Sequence, residues 1–343
     1  ETVAMKAAVC TGVGAIDIRD VPKPTPGAGE VLVRVKSAGV CGSDVDGYRG
    51  HHPMIGYPII LGHECSGIIA EVGAGVPAAR VGEAVTVEPF FTCDVCPFCL
   101  EGTYNFCADL KIIGHQVPGA FAEYLTIPAK FAHLKPDHVS FDAAAILEPC
   151  SGSLHAVRRC RIQSGDTVVI IGCGTMGSFS TQHCVNLSAE VIVIEPVAFK
   201  RAAALEFGAR VALDPTQSDV VAEIARLTHG KMADVVIEAV GEPETLVQTV
   251  SLVRNGGTVM LIGWTGNSTD PFDLTNTTFR ELTVLGTLGF CRDFPTSMKL
   301  LAAGKIDIER IITHHFSLDQ VEEAIEQLGA RRDGVWKSVV RVS

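Results

Sequence analysis

Four cysteines, Cys93, Cys96, Cys99 and Cys107, fall within fifteen residues, CDVCPFCLEGTYNFC, as a C-x2-C-x2-C-x7-C run. Four thiolates on so short a segment oblige the backbone to wrap round a common centre. An all-sulfur tetrahedral shell of this kind is what structural zinc prefers. Such a shell is closed, so its expected role is to brace a projecting lobe and not to react. Disulfides or buried free thiols are the alternatives. Nothing in the sequence indicates secretion, and cysteine-rich runs in cytosolic proteins more often bind metal.

The chain has 343 residues, enough for two domains with a large core, and 47% of them are hydrophobic against 20% charged. The net charge of −11 argues against nucleic acid and anionic membranes as main partners. No apolar run approaches the length of a membrane span. The start, ETVAMKAAV, has neither a basic segment nor an apolar one, so no signal peptide is expected, and Met5 reads as the initiator. Eight cysteines outside the run (Cys10, Cys41, Cys65, Cys150, Cys160, Cys173, Cys184 and Cys291) read mostly as small buried apolar residues. Twelve cysteines without an export signal point to a reducing, cytoplasmic setting.

Residues 5–150 are rich in Gly, Pro and short β-branched runs. EVLVRVKSAGV (30–40) and VGEAVTVEP (81–89) alternate as strands do, and PKPTPGAG is a turn cluster. This part is expected to be mostly β. After Pro149 the texture changes. TVVIIG and VIVIE read as buried strands, each followed by a helical stretch; ADVVIEAVG, GGTVMLIG and ELTVLGTLG add three more strands. Continuous Val/Ile strands alternating with helices predict a parallel sheet covered on both faces. The tail from Phe294 holds two amphipathic helical stretches and a final strand, KSVVRV. His314-His315 reads as loop before a helix cap at Ser317.

Gly172-Cys173-Gly174-Thr175-Met176-Gly177 follows the strand TVVII and opens a helix, with Glu195 closing the second strand. The spacing G-x-G-x-x-G is weak evidence alone. Inside a βαβ unit it predicts a dinucleotide pyrophosphate on the helix N-terminus. Glu195 can accept the adenosine ribose hydroxyls and would repel a 2′-phosphate, which favours NAD over NADP. Lys200 could cover the same ribose, and the adjoining Arg201 keeps NADP open. Ile262, Gly263 and Leu288 are further candidates along the cofactor.

Cys41, in GVCGSD, and His63 and Glu64, in GHE, lie on separate loops, and Glu148 closes the first domain. Cys, His and Glu are the ligand types of a catalytic zinc, which keeps a position open for water or substrate.

With the spacing Gly62-His63-Glu64-x2-Gly67-x5-Gly73-x2-Val76, these motifs resemble the zinc-dependent medium-chain alcohol dehydrogenases. The Cys-Gly-Ser-Asp form and the His-Glu pair look most like the sorbitol (polyol) and threonine dehydrogenase branch. The resemblance covers essentially the whole chain. It implies an α/β protein: a GroES-like, mostly-β catalytic domain (1–152) carrying both zincs, a Rossmann NAD-binding domain with a doubly wound parallel sheet (153–287), and a return segment (288–343). It implies two zinc ions and NAD per chain, and a homotetramer or a homodimer. The catalytic zinc would be held by Cys41, His63 and either Glu64 or Glu148, with Asp44 orienting His63.

In the implied reaction zinc acts as a Lewis acid on the alcohol, hydride passes to the nicotinamide, and Ser43 relays the proton. The residue five places after the metal cysteine, often a histidine in the family, is Asp46 here. The outer relay therefore falls to Asp46, His51, His52 or water. Tyr48 and His115 are candidate substrate contacts. Polyol dehydrogenases usually carry an Arg-Tyr pair where this chain, aligned on Pro295, has Gly289-Phe290, with Arg292 nearby. The expected substrate is a secondary alcohol: a polyol, cyclitol, sugar derivative or hydroxy-amino acid. A threonine 3-dehydrogenase-type activity is the alternative. A metal-free reductase, or a binding protein that kept the fold without catalysis, is opposed by the intact Cys41, Ser43, His63 and glycine loop.

Overall fold

The computed structural model describes residues 3–264, 266, 272–330 and 334–342 and divides the chain into two compact units. The first comprises residues 1–148, 294–302 and 308–343; the second comprises 149–293 and 303–307.

The first unit is built from short strands. β1 (Ala4–Gly12), β2 (Ala15–Pro22) and β4 (Ile59–Ile60) form a three-stranded sheet in the order β2-β1-β4. The main sheet uses β3 (Glu30–Gly39), β5 (Glu64–Val72), β6 (Ala84–Val87), β9 (Tyr124–Pro128) and β10 (Ala132–Leu134). It is completed by β17 (Ile312–Ser317) and β18 (Lys337–Arg341) in the order β10-β6-β5-β3-β18-β17, with β9 also on β3. β7 (Phe90–Phe91) and β8 (Lys111–Ile112) make a small ribbon. Val31, Leu32, Val33 and Val35 of β3 are fully buried; β3 pairs with β5, β9 and β18, and helix α3 (Phe141–Ala145) packs against β3, β5 and β6.

The helix α4 (Leu147–Arg159) carries the chain into the second unit. There β11 (Thr167–Ile171), β12 (Glu190–Ile194), β13 (Val211–Leu213), β14 (Ala233–Glu238), β15 (Val253–Leu261) and β16 (Thr283–Gly286) pair in parallel in the order β13-β12-β11-β14-β15-β16. The crossovers are α5 (Thr175–Asn186), α6 (Ala198–Glu206), α7 (Val220–Leu227), α8 (Pro243–Leu252) and α9 (Leu274–Phe279). The order reverses between β11 and β14, and in such sheets ligands bind beyond the strand ends at this switch point. Val169, Ile192, Val236 and Val259, one from each of four strands, lie in one apolar cluster without exposure. This is the physical counterpart of their uninterrupted Val/Ile sequences.

The return segment contributes α10 (Phe294–Ala302) and α11 (Val321–Gly329). His314 and His315, expected in a loop, lie in β17 instead. The polar sequence THHFS hides the strand, whose pairing with β18 comes from tertiary contact. His315 accepts an ion-pair role there, 3.1 Å from the Asp142 carboxylate. Among the described residues, no helix is long and apolar enough to cross a membrane.

Candidate active site

β3 ends at Gly39, and two residues later Cys41 caps the short helix α1 (Gly42–Tyr48). Asp44, wholly buried, accepts the Cys41 N–H at 2.8 Å with one carboxylate oxygen and the Gly62 N–H at 2.9 Å with the other. One side chain thus ties the cysteine loop to the histidine loop. His63 Nδ1 lies 3.8 Å from the same carboxylate, too long for a hydrogen bond but close enough for charge attraction. Gly62 has φ +89° with the Phe121 ring packed against its Cα, a conformation that a side chain would strain.

The Sγ of Cys41, a ring nitrogen of His63 and a carboxylate oxygen of Glu64 lie within 4.8 Å of one another. Glu64 faces Gly39 across the β3–β5 register, and a Cβ on Gly39 would collide with its carboxylate. Lys337, from β18, donates to Glu64 Oε1 at 2.6 Å and to the Val40 carbonyl at 2.8 Å. This leaves Glu64 Oε2 buried without a protein partner. Glu148, in the first turn of α4, stands outside the Cys41–His63–Glu64 group but interacts electrostatically with His63 and Glu64.

Four acidic groups converge here on one imidazole and one ammonium. Burial alone would lower the His63 pKa, but Cys41, Asp44 and Glu148 hold it well above its ordinary value. Burial, reinforced by Glu64 and Asp44 against the pull of His63 and Lys337, pushes Glu148 up to about 7. Lys337 likewise stays above its ordinary value despite burial, chiefly because of Glu64. A buried pocket with surplus negative charge, a soft S, N, O donor set and an orphaned carboxylate oxygen fits a divalent zinc ion.

The other residues of this region sort by contact. Ser43 Oγ is buried without a protein partner. Asp46 receives the His51 and His52 N–H groups on its backbone carbonyl, at 2.8 and 3.3 Å. The His52 ring lies 4.7 Å from that of His115, which lies 5.1 Å from that of His63. His115 is buried with neither ring nitrogen partnered, and its pKa falls far below the ordinary value, mainly through burial. His51 is exposed. Tyr48, a candidate substrate contact, instead gives its hydroxyl to Glu322 at 2.9 Å and Glu326 at 3.3 Å on α11.

The four-cysteine lobe closes as its spacing predicts: all four sulfurs lie within 4.8 Å of one another. Cys93 and Cys99 Sγ are 3.9 Å apart, near the roughly 3.8 Å edge of a tetrahedron with Zn–S bonds of about 2.3 Å. None of the four is in a disulfide.

In the second unit the glycine loop leaves β11 at the switch point. Gly172 has φ +90°, and a Cβ on Gly177 would collide with the Gly172 carbonyl. Gly174, the N-cap of α5, faces open space and carries no side-chain cap, so free N–H groups of the helix start look outward. Thr175 and Met176 begin that helix. Glu195 Oε2 accepts the Cys173 N–H at 2.7 Å and Oε1 the Val197 N–H at 2.9 Å. These bonds fix the carboxylate beside the loop and leave its remaining lone pairs for hydroxyls. Ile262 and Gly263 follow β15 with their N–H groups on the Glu238 carbonyl, and Leu288 is half-exposed beyond β16. Phe290 is fully buried in the core.

Lys337 and Glu238 belong to no sequence motif. Glu238 accepts the Val240 and Gly241 N–H groups, at 2.9 and 3.0 Å, and the Thr245 hydroxyl, at 2.8 Å, shaping the end of β14. No motif marks Lys337, which stands at the head of the strand KSVVRV.

Residues 27–137 match the alcohol dehydrogenase GroES-like domain, and residues 175–303 match the zinc-binding dehydrogenase domain. The sorbitol dehydrogenase of Bacillus subtilis is 34% identical over 94% of this chain and 93% of its own length. The chain belongs to the zinc-dependent medium-chain alcohol dehydrogenase family. Within it, the L-threonine 3-dehydrogenase of Pyrococcus horikoshii is 35% identical over 94% of each chain. Among solved structures, a zinc-binding dehydrogenase of Sinorhizobium meliloti bound to NADP superposes with a TM-score of 0.93, 35% identity and 99% coverage of both chains. The alcohol dehydrogenase rspB of Escherichia coli CFT073, complexed with NADH, gives 0.92 and 31%, covering 99% of this chain and all of that one. The protein is an alcohol dehydrogenase of the polyol/threonine branch.

Proposed function

We propose that this enzyme oxidises a secondary hydroxyl of a small polyhydroxylated or hydroxy-amino substrate to the ketone, with NAD as acceptor. The observation that carries this reading is the Cys41–His63–Glu64 cluster, with His63 and Glu64 buried and Cys41 half-buried, stapled by Asp44 and charged to receive a divalent ion. When bound, zinc supplies Lewis acidity towards the hydroxyl oxygen and the nicotinamide supplies the hydride acceptor. Cys41 and His63 are the firm ligands, and Glu64 and Glu148 share the third position. The orphaned Oε2 favours Glu64, while the Lys337 bond holds its other oxygen. Ser43 Oγ takes the substrate's proton onward, and Asp46 and the half-buried His52 form the outer route. Cys93, Cys96, Cys99 and Cys107 hold a structural zinc.

Gly172, Gly174, Gly177 and the start of α5 cradle the pyrophosphate, with Glu195 and Lys200 at the adenosine ribose and Ile262, Gly263 and Leu288 further along. Sorbitol itself is disfavoured, because Phe290, at the position expected to bear a substrate-binding tyrosine, is core. The resemblance to the threonine enzyme supports a hydroxy-amino acid as the second reading. Twelve free thiols support a reducing, cytoplasmic setting. The edge of β16, unpaired among the described residues and beside exposed Leu274 and Phe279, supports association of copies into a homotetramer or homodimer. A screen of NAD reduction by zinc-loaded protein over polyols, cyclitols, sugar phosphates and L-threonine tests the reading. Turnover confined to one class identifies the substrate; no turnover with any alcohol overturns it.

A further inference from the structure

Arg201 lies on α6, six residues after Glu195, where a cation could meet the 2′-phosphate of NADP. It is not turned outward. Its Nη1 donates to the Glu195 carbonyl at 2.8 Å and to the Pro196 carbonyl at 2.6 Å. Its Nη2 pairs with Asp214 Oδ2 at 2.9 Å, and both side chains are only about one-fifth exposed, at 20% and 19%. Asp214 follows β13, the strand beside β12, and is itself fixed. Its Oδ1 accepts the Thr216 N–H at 2.9 Å and the Thr216 hydroxyl at 2.7 Å.

The geometry points to Asp214 as a positioning residue that decides cofactor choice. By holding Arg201 against the backbone of the β12–α6 turn, it denies a 2′-phosphate the planar, bidentate partner that guanidinium offers such a group. The phosphate then meets the fixed negative charge of Glu195 with Lys200 alone to offset it. This rests on the reading of the glycine loop and Glu195 as the dinucleotide site. The choice is not settled by the fold. Two structures of closely comparable likeness hold different cofactors, NADP in the Sinorhizobium protein and NADH in the Escherichia one. Lys200 stays the same in every variant below and serves as constant background.

Asp214→Asn is nearly isosteric. It keeps the Oδ1 acceptor for Thr216 but turns an amide N–H2 towards the guanidinium, which releases Arg201. Calorimetric titration of the intact, zinc-loaded protein with NADH and with NADPH reads the effect. The expected result is NADPH binding tightened about 10-fold, the scale of one charge-assisted hydrogen bond, with NADH affinity changed less than about threefold. In Asp214→Asn/Arg201→Ala the gain disappears, because it acts through Arg201. Asp214→Ser, which also keeps an acceptor for Thr216, repeats the measurement should the asparagine variant fold poorly. An unchanged NADPH-to-NADH ratio with NADH binding intact overturns the inference and leaves the cofactor site standing. A gain that survives the double variant overturns it too, since the loss of negative charge alone would then suffice. Wild-type protein that binds neither nucleotide overturns the cofactor assignment, and this inference with it.

Discussion

Replacing Lys337 by methionine removes the ammonium that faces Glu64 while keeping most of the packing volume. A buried carboxylate stripped of its partner is destabilising by roughly 3–5 kcal/mol. A zinc ion at Cys41 and His63 would supply the missing positive charge. The Lys337→Met variant is therefore expected to be strongly destabilised when metal-free and far less so with zinc, as read by denaturant unfolding with and without chelator. Ser43→Ala should lower oxidation turnover about 100-fold, the scale of one acid–base step. Its KM should change little, which steady-state kinetics with a primary hit from the substrate screen would show. His183 tests the second unit. It is almost wholly buried on α5, its Nε2 3.1 Å from the Cys150 carbonyl, and burial pushes it down to about 4. Between pH 6.5 and 4 the unfolded chain carries a proton at this residue that the folded chain refuses. Stability should therefore fall on acidification through that window, by about 1.4 kcal/mol per pH unit from this group. His183→Gln should flatten the slope by one proton in urea unfolding across the range.

At the scale of elements, the four-cysteine lobe stands out because it has little core of its own. Its helix α2 (Pro97–Glu101) has no buried residue, and Val95, Phe98, Leu100 and Phe106 are exposed. Metal–sulfur bonds must therefore do what apolar burial does elsewhere. Cys96→Ser should open residues 92–110 to limited proteolysis while the rest of the chain stays resistant. Cys41→Ser should abolish activity without opening the lobe, so the two metals separate by cleavage pattern. The elements were legible to different degrees. The strands β11, β12 and β14 carry unbroken Val/Ile runs because both their faces are covered, so composition alone marks them. β17 carries THHFS and was invisible, since its pairing with β18 and the Asp142–His315 contact come from distant parts of the chain. The candidate site shows the same division. Cys41, His63 and Glu64 were readable as donor types, whereas the stapling by Asp44 depends on where two loops meet.

For the whole molecule, the parallel sheet ends at β16, whose outer edge pairs with nothing among the described residues. Val284 on that strand is 37% exposed and Phe279 just before it is 84% exposed. An open apolar edge of this kind is covered most readily by a second copy. Light scattering after size exclusion should give a mass of at least two chains for the wild type, and Val284→Lys should shift it towards one. The chain also leaves its first unit at Glu148 and comes back with 294–302 and 308–343. By itself the sequence determined the chemistry: the sulfur-rich lobe, the Cys/His/Glu donors, the glycine loop with its acid, and the two textures of strand. These are local, because ligand type, turn conformation and burial pattern are written in neighbouring residues. The tertiary structure alone decided which groups complete the sites. Lys337 reaches Glu64 across 273 residues because β18 inserts beside β3, and Asp214 reaches Arg201 because β13 pairs with β12. Such partners are set by strand pairing between distant segments, and no short-range pattern in the sequence records it.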